Sequence, residues 1–187
     1  MRHSTSIQSR LTALQKQMAK EKVQAWLILS SDPHLSEYLP EHWKLREAFS
    51  GFTGSAGSLL VLKDRAYLWA DSRYWVQAAS ELEDSGITLM KLGDSATPSY
   101  TEFLQETLPE KSHVAVLGDT ISVENFVELY EALDEYGITL TTEYDPFSII
   151  MSDRAALPCE MLYLHDPQFV SEKINSKISK IRAAMTA

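Results

Sequence analysis

Two identical tetrapeptides, Gly86-Ile-Thr-Leu89 and Gly137-Ile-Thr-Leu140, each close one kind of pattern and open another. Ahead of each glycine, apolar residues recur at the three-and-four spacing of a helix; after it comes a short apolar and β-branched run. A glycine at that junction suits the left-handed position that ends a helix before the chain turns into a strand. The same alternation runs through most of the sequence. Strands are predicted over 25–29, 58–62, 66–69, 87–92, 114–117 and 138–142, and helices from Ile7 through Met18 and over 74–82, 100–108 and 123–136. The polar turn Lys63-Asp-Arg65 makes a hairpin of the second and third strands. Ala25-Trp-Leu-Ile-Leu29 is continuously apolar, as a strand covered on both faces must be. The fold class that follows is α/β, a mixed sheet flanked by helices.

At 187 residues and 44% hydrophobic content the chain can bury one core of ordinary domain size. A formal charge of −9 excludes a phosphate backbone or an anionic membrane as partner, because either requires Lys and Arg to displace counterions. The single Cys159 has no partner for an intrachain disulfide, Met1 to Arg10 lacks the apolar stretch of a leader peptide, and no run is apolar enough to span a bilayer. A soluble, reducing, cytoplasmic setting is the expectation.

Chemistry-bearing residues are sparse. Asp32, His34 and Glu37 mix metal-ligand types within one turn of chain. With Asp32 as cap and Pro33 opening a short helix, the three fan apart, so a capped surface turn is expected and no metal. Gly51, Gly54 and Gly57 lead into a strand and not a helix, which argues against a phosphate loop. Ser55 lacks the strand-turn-helix context of a nucleophile elbow. The plainer reading is a close-packed turn with Phe49 and Phe52 filling the space beside it. Asp71-Ser-Arg73 lies where the hairpin gives way to a helix; Asp71 is expected to cap that helix. Arg73 offers a planar pair of donors to a carboxylate or peptide carbonyl, or else forms a surface pair with Asp71 or Glu81. Phe126, Leu129, Tyr130 and Leu133 form a core stripe. Lys173, Lys177 and Lys180 form a solvated flank on a last helix whose apolar stripe is Ile174, Ile178, Ile181 and Met185.

Taken in order, Ser31-Asp-Pro-His-Leu-Ser-Glu-Tyr38, Gly51-Phe-Thr-Gly-Ser-Ala-Gly57, Ala70-Asp-Ser-Arg-Tyr-Trp75 and Gln77-Ala-Ala79 resemble the amino-terminal, non-catalytic domain of aminopeptidase P, within the creatinase and prolidase group. The resemblance implies a ribonuclease H-like fold and a substrate-binding role for Arg73, with Asp71 and His34 in support. It implies no catalytic or metal-binding residue in this chain: two divalent metals, manganese in this group, belong to a later domain. The implied partners are a peptide with proline at the second position and a second subunit in a homodimer, with no nucleic acid and no membrane. Related domains also serve as catalytically dead recognition modules, as in the large subunit of the FACT histone chaperone. An acidic surface suits a module that binds peptides or basic protein tails. The family phrase has glycine where this chain has Ser72, a strained substitution if that position requires positive φ. Ala155 stands for a proline and Phe169 for a glycine near the expected junction. The expected domains are 1–152, of the creatinase type, and 153–187, a linker and the first helix of a second, truncated copy. That copy rests on the match of Ser9-Arg-Leu11, Leu14 and Met18 to Ser176-Lys-Ile178, Ile181 and Met185; the same match also arises by chance between amphipathic helices.

Overall fold

The computed structural model describes residues 2–186, which divide into two compact units at Leu157/Pro158. In the first, the elements are α1 (Arg2–Glu21), β1 (Ala25–Leu29), α2 (Leu45–Ser50), β2 (Ser58–Leu62), β3 (Ala66–Ala70), α3 (Trp75–Glu81), β4 (Ile87–Lys91), α4 (Tyr100–Thr107), β5 (His113–Val116), α5 (Val123–Asp134), β6 (Thr139–Thr141) and α6 (Phe147–Ile150). The second unit holds α7 (Ile174–Met185). The strands form one sheet in the order β4-β3-β2-β1-β5-β6. β2 pairs antiparallel with both β1 and β3, while β1–β5, β5–β6 and β3–β4 are parallel. Five strands therefore run one way and only β2 runs back, so the carboxyl ends of β1 and β3 lie on the same edge as the start of β2.

Side chains alternate between two cores with the period of two that a strand imposes. Trp26, Ile28, Leu59, Val61, Leu68 and Ala115 face a layer built from α1, α2, α3 and α6. Ala25, Leu27, Leu60, Trp69, Val114 and Val116 face a layer built from α4 and α5. Burying a Val, Leu, Ile or Phe side chain is worth ~1.5–3 kcal/mol, so a strand apolar on both faces is stable only between two such layers. α4 is closed at its start by a capping box between Ser99 and Glu102, and α5 by Ser122, which accepts from the Asn125 amide. Gly86 and Gly137 have φ of 75° and 64°, the left-handed geometry their placement called for.

Four details differ from the sequence reading. No helix follows Pro33: the Asp32 carboxylate accepts the His34 and Ser36 amides at 2.9 and 3.0 Å and closes a tight turn, which leaves Leu35 at a φ of 53°. Asp71 does not cap α3, whose N-cap is Tyr74; it bonds the Arg73 amide two residues on. Tyr130 is 43% exposed and stacks on Phe126 in place of joining Leu129 and Leu133 inside. The first unit also continues to Leu157, past residue 152. Arg10 bonds Asp153 at 3.0 Å, Arg154 bonds Asp145 at 3.0 Å and the His42 carbonyl at 3.1 Å, and the Ala155 carbonyl lies 2.7 Å from His42 Nδ1.

Candidate functional site

The features singled out in the sequence gather at the edge where β1 and β3 end and β2 begins. Open α/β sheets usually present ligand-binding side chains at such a carboxyl edge. β3 ends at Ala70, and the next three residues form a turn closed by the Tyr74 amide donating to the Asp71 carbonyl at 2.9 Å. Within it Arg73 donates through Nε and Nη2 to Asp71 Oδ1 and Oδ2 at 2.9 and 2.8 Å, a two-point pair that fixes the plane of the guanidinium. Hydrogen bonding from Arg73 holds the Asp71 carboxyl below its ordinary range and raises the guanidinium in turn. The Arg73 side chain remains 68% exposed, and its guanidinium carbon lies 5.2 Å from the Tyr74 ring centre. Nη1 has no partner among the described residues, so the pair orients the arginine and leaves one edge open. Ser72 keeps a negative φ, and serine in place of glycine is unstrained.

Behind this turn stands the loop from Gly51 to Gly57. Gly54 is buried under the Phe52 ring, and a β-carbon there would lie 2.2 Å from Phe52 Cζ and 2.8 Å from Tyr74 Cδ1. Ser55 Oγ and Tyr74 Oη are 2.7 Å apart. Thr53 donates its amide and hydroxyl to the two oxygens of Glu81 at 2.8 and 2.7 Å, and Gln77 bonds both residues. Burial opposes charge on Glu81, but the bonds from Thr53 and Gln77 prevail and hold its carboxyl below the usual range. Glu81 is thus occupied by the loop, and it is Asp71 that pairs with Arg73.

Sequence reasoning missed the residue at the centre of this loop. Arg46, on α2, is 5% exposed and donates through Nε to Ser30 Oγ at 2.7 Å, through Nη1 to the Phe52 carbonyl at 2.6 Å, and through Nη2 to the Gly54 carbonyl. Its guanidinium carbon sits 4.7 Å from the Phe52 ring centre. Burial lowers its pKa to about 10, which leaves it protonated at neutral pH. No local signal marks it, since Leu45-Arg-Glu-Ala-Phe49 sets Glu47 beside it and reads as an ordinary mixed segment just before the glycines.

The cluster Asp32, His34 and Glu37 does not converge. Asp32 is buried and turned to its own loop's amides; burial opposes its ionisation, yet the Ser36 and His34 bonds keep its carboxyl below the ordinary range. His34 and Glu37 are exposed, and no bond joins His34 to Asp71 or Arg73 among the described residues. No group of three or more His, Cys, Asp or Glu among those residues could hold a metal ion, so the donor set does not fit a dinuclear metal centre. What the edge can do is bind: one oriented, open-edged guanidinium on a braced turn.

Comparison with known proteins gives a consistent picture. The creatinase/prolidase N-terminal domain model matches residues 10–145. The chain is 33% identical over 182 residues to a probable Xaa-Pro aminopeptidase P of Coprinopsis cinerea, covering 96% of this chain and 29% of the relative. It is 32% identical to Xaa-Pro aminopeptidase 2 of Rattus norvegicus, covering 94% of this chain and 26% of the relative. Among solved structures, the X-prolyl aminopeptidase of Caenorhabditis elegans, described as a cytosolic enzyme with a di-nuclear active site, superposes with a TM-score of 0.81 at 23% identity, over 98% of this chain and 31% of that one. The chain thus spans less than a third of the length of these relatives.

Proposed function

This chain belongs to the creatinase/prolidase N-terminal domain family, and we propose that it acts as the non-catalytic amino-terminal domain of a metal-dependent Xaa-Pro aminopeptidase. In this reading it presents Arg73 to the peptide and contributes subunit contacts. The hydrolytic chemistry, with its two divalent metals, is supplied by residues outside this chain, and the setting is cytoplasmic. The observation that carries the reading is the Asp71-held guanidinium on the carboxyl edge of the sheet. Asp71 fixes its plane, Tyr74 supports it from beneath, and Nη1 is left to donate to a peptide carbonyl or carboxylate oxygen. His34, on the neighbouring turn, adds a polar flank to the same edge.

The test is Arg73→Ala in the full-length enzyme with Gly-Pro peptides as substrates. A charge-assisted pair is worth ~1.5–3 kcal/mol, so kcat/KM falls by about one to two orders of magnitude while metal content and fold stay unchanged. Arg73→Lys recovers part of the loss, since an ammonium lacks the planar two-donor grip. An alanine variant with undiminished kcat/KM removes the assigned role. A full-length protein without metal ligands downstream would instead be a recognition module for peptides or basic tails.

A further inference from the structure

At the opposite end of the sheet from Arg73, the two helical layers part around a cleft of about 780 Å³. The end of α1, the β2–β3 hairpin turn and the segment after α4 form its sides. The floor is apolar: Met18, Val23 and Leu62 are buried, and Tyr67 and Leu108 half-buried. The wall amides are already satisfied. Gln15 donates to the Leu62 carbonyl at 2.9 Å, and Gln24 donates to the Lys22 carbonyl at 3.0 Å while accepting the His113 amide at 2.7 Å. The rim is cationic, with Lys22, Lys63 and Arg65 exposed around it and Asp64 the one acidic residue lining it. None of the three cations forms an ion pair among the described residues. The helix ends nearby do not cancel them: the carboxyl termini of α1 and α4 carry about half a negative charge each, so with Asp64 the cleft keeps a net charge of roughly +1. On a chain of net charge −9 that is a local reversal of sign.

We propose that this cleft binds a small amphiphilic carboxylate. Its aliphatic or aromatic body lies over Met18, Val23, Leu62 and Leu108, and its carboxylate sits at the rim among Lys22, Lys63 and Arg65. The volume is that of a small-molecule site, and an apolar lining with a few charged groups to fix orientation is what such sites have. A neutral body alone would use the floor and waste the rim; an ammonium would meet three like charges.

The test uses this chain and three eight-carbon probes, octanoate, octanol and octylammonium, titrated while backbone amide shifts are recorded. Octanoate should give saturable shifts at cleft residues, weakened by added salt; octanol should bind more weakly, and octylammonium should leave those residues unmoved. The double variant Lys63→Glu with Arg65→Glu, both on an exposed turn, should weaken octanoate by about tenfold and admit octylammonium. Ala19→Trp, at an exposed position of α1 that lines the cleft, should fill it and abolish octanoate binding. Equal affinity for octanoate and octanol, shifts mapping elsewhere, or octanoate binding unchanged in either variant would each overturn the assignment.

Discussion

Arg46 has three hydrogen-bond acceptors and one aromatic face around a single guanidinium, with no ion-pair partner among the described residues. Removing it leaves two loop carbonyls and the Ser30 hydroxyl without a donor at a largely buried site. Leaving a buried polar group unsatisfied costs ~1–3 kcal/mol, so Arg46→Met should destabilise the chain by about 2–5 kcal/mol in a denaturant titration. Arg46→Lys should recover only part of this, because one ammonium does not span Ser30, Phe52 and Gly54 together. Destabilisation under about 1 kcal/mol in the methionine variant would show that the loop is held by its ring packing alone. The close packing at Gly54 was legible in the sequence, since adjacent glycines and phenylalanines have few other uses. Arg46 was not, because nothing local distinguishes an arginine folded inward from one in solvent.

At the level of elements, α7 departs from the helices of the first unit. Its Ile174, Ile178, Ile181 and Met185 are 62%, 40%, 60% and 81% exposed, a stripe at helical spacing that its own unit leaves uncovered. α1 carries the same pattern in Leu11, Leu14 and Met18, and there all three are buried. Four such side chains left in water favour association. Deleting residues 158–187 should leave the cooperative thermal transition of the first unit in place and lower the self-association measured by sedimentation. Loss of the transition would make α7 part of the first core. α2 and α6, with six and four residues, escaped prediction because neither completes two turns of a periodic pattern, and packing of Phe49 against Phe147, ring centres 5.2 Å apart, stabilises both.

For the whole molecule, two consequences follow. The isolated chain, incubated with manganese, dialysed and assayed on a Gly-Pro tripeptide, should retain no stoichiometric metal and release no amino acid above a blank; doing both would place a catalytic centre in it. Its stability should fall in acid. Asp32, Glu81 and Asp145 each have folded-state pKa values below their ordinary 3.8, 4.5 and 3.8, held there by hydrogen bonds that outweigh burial. Because folding depresses these values, the stabilisation is complete above the ordinary values and is lost as pH falls through the depressed ones. A thermal midpoint that stays flat from pH 6 to pH 2.5 would contradict this. The sequence by itself determined the strand and helix alternation, the hairpin, the glycine-closed helix ends and the family, because each is written in local spacing that a short window contains. Tertiary structure alone decided that β2 is the one reversed strand, that Glu81 serves the loop and Asp71 the arginine, that Arg46 turns inward, and that three cations share one cleft. Those outcomes depend on which distant segments meet, and one-dimensional spacing carries no measure of distance between them.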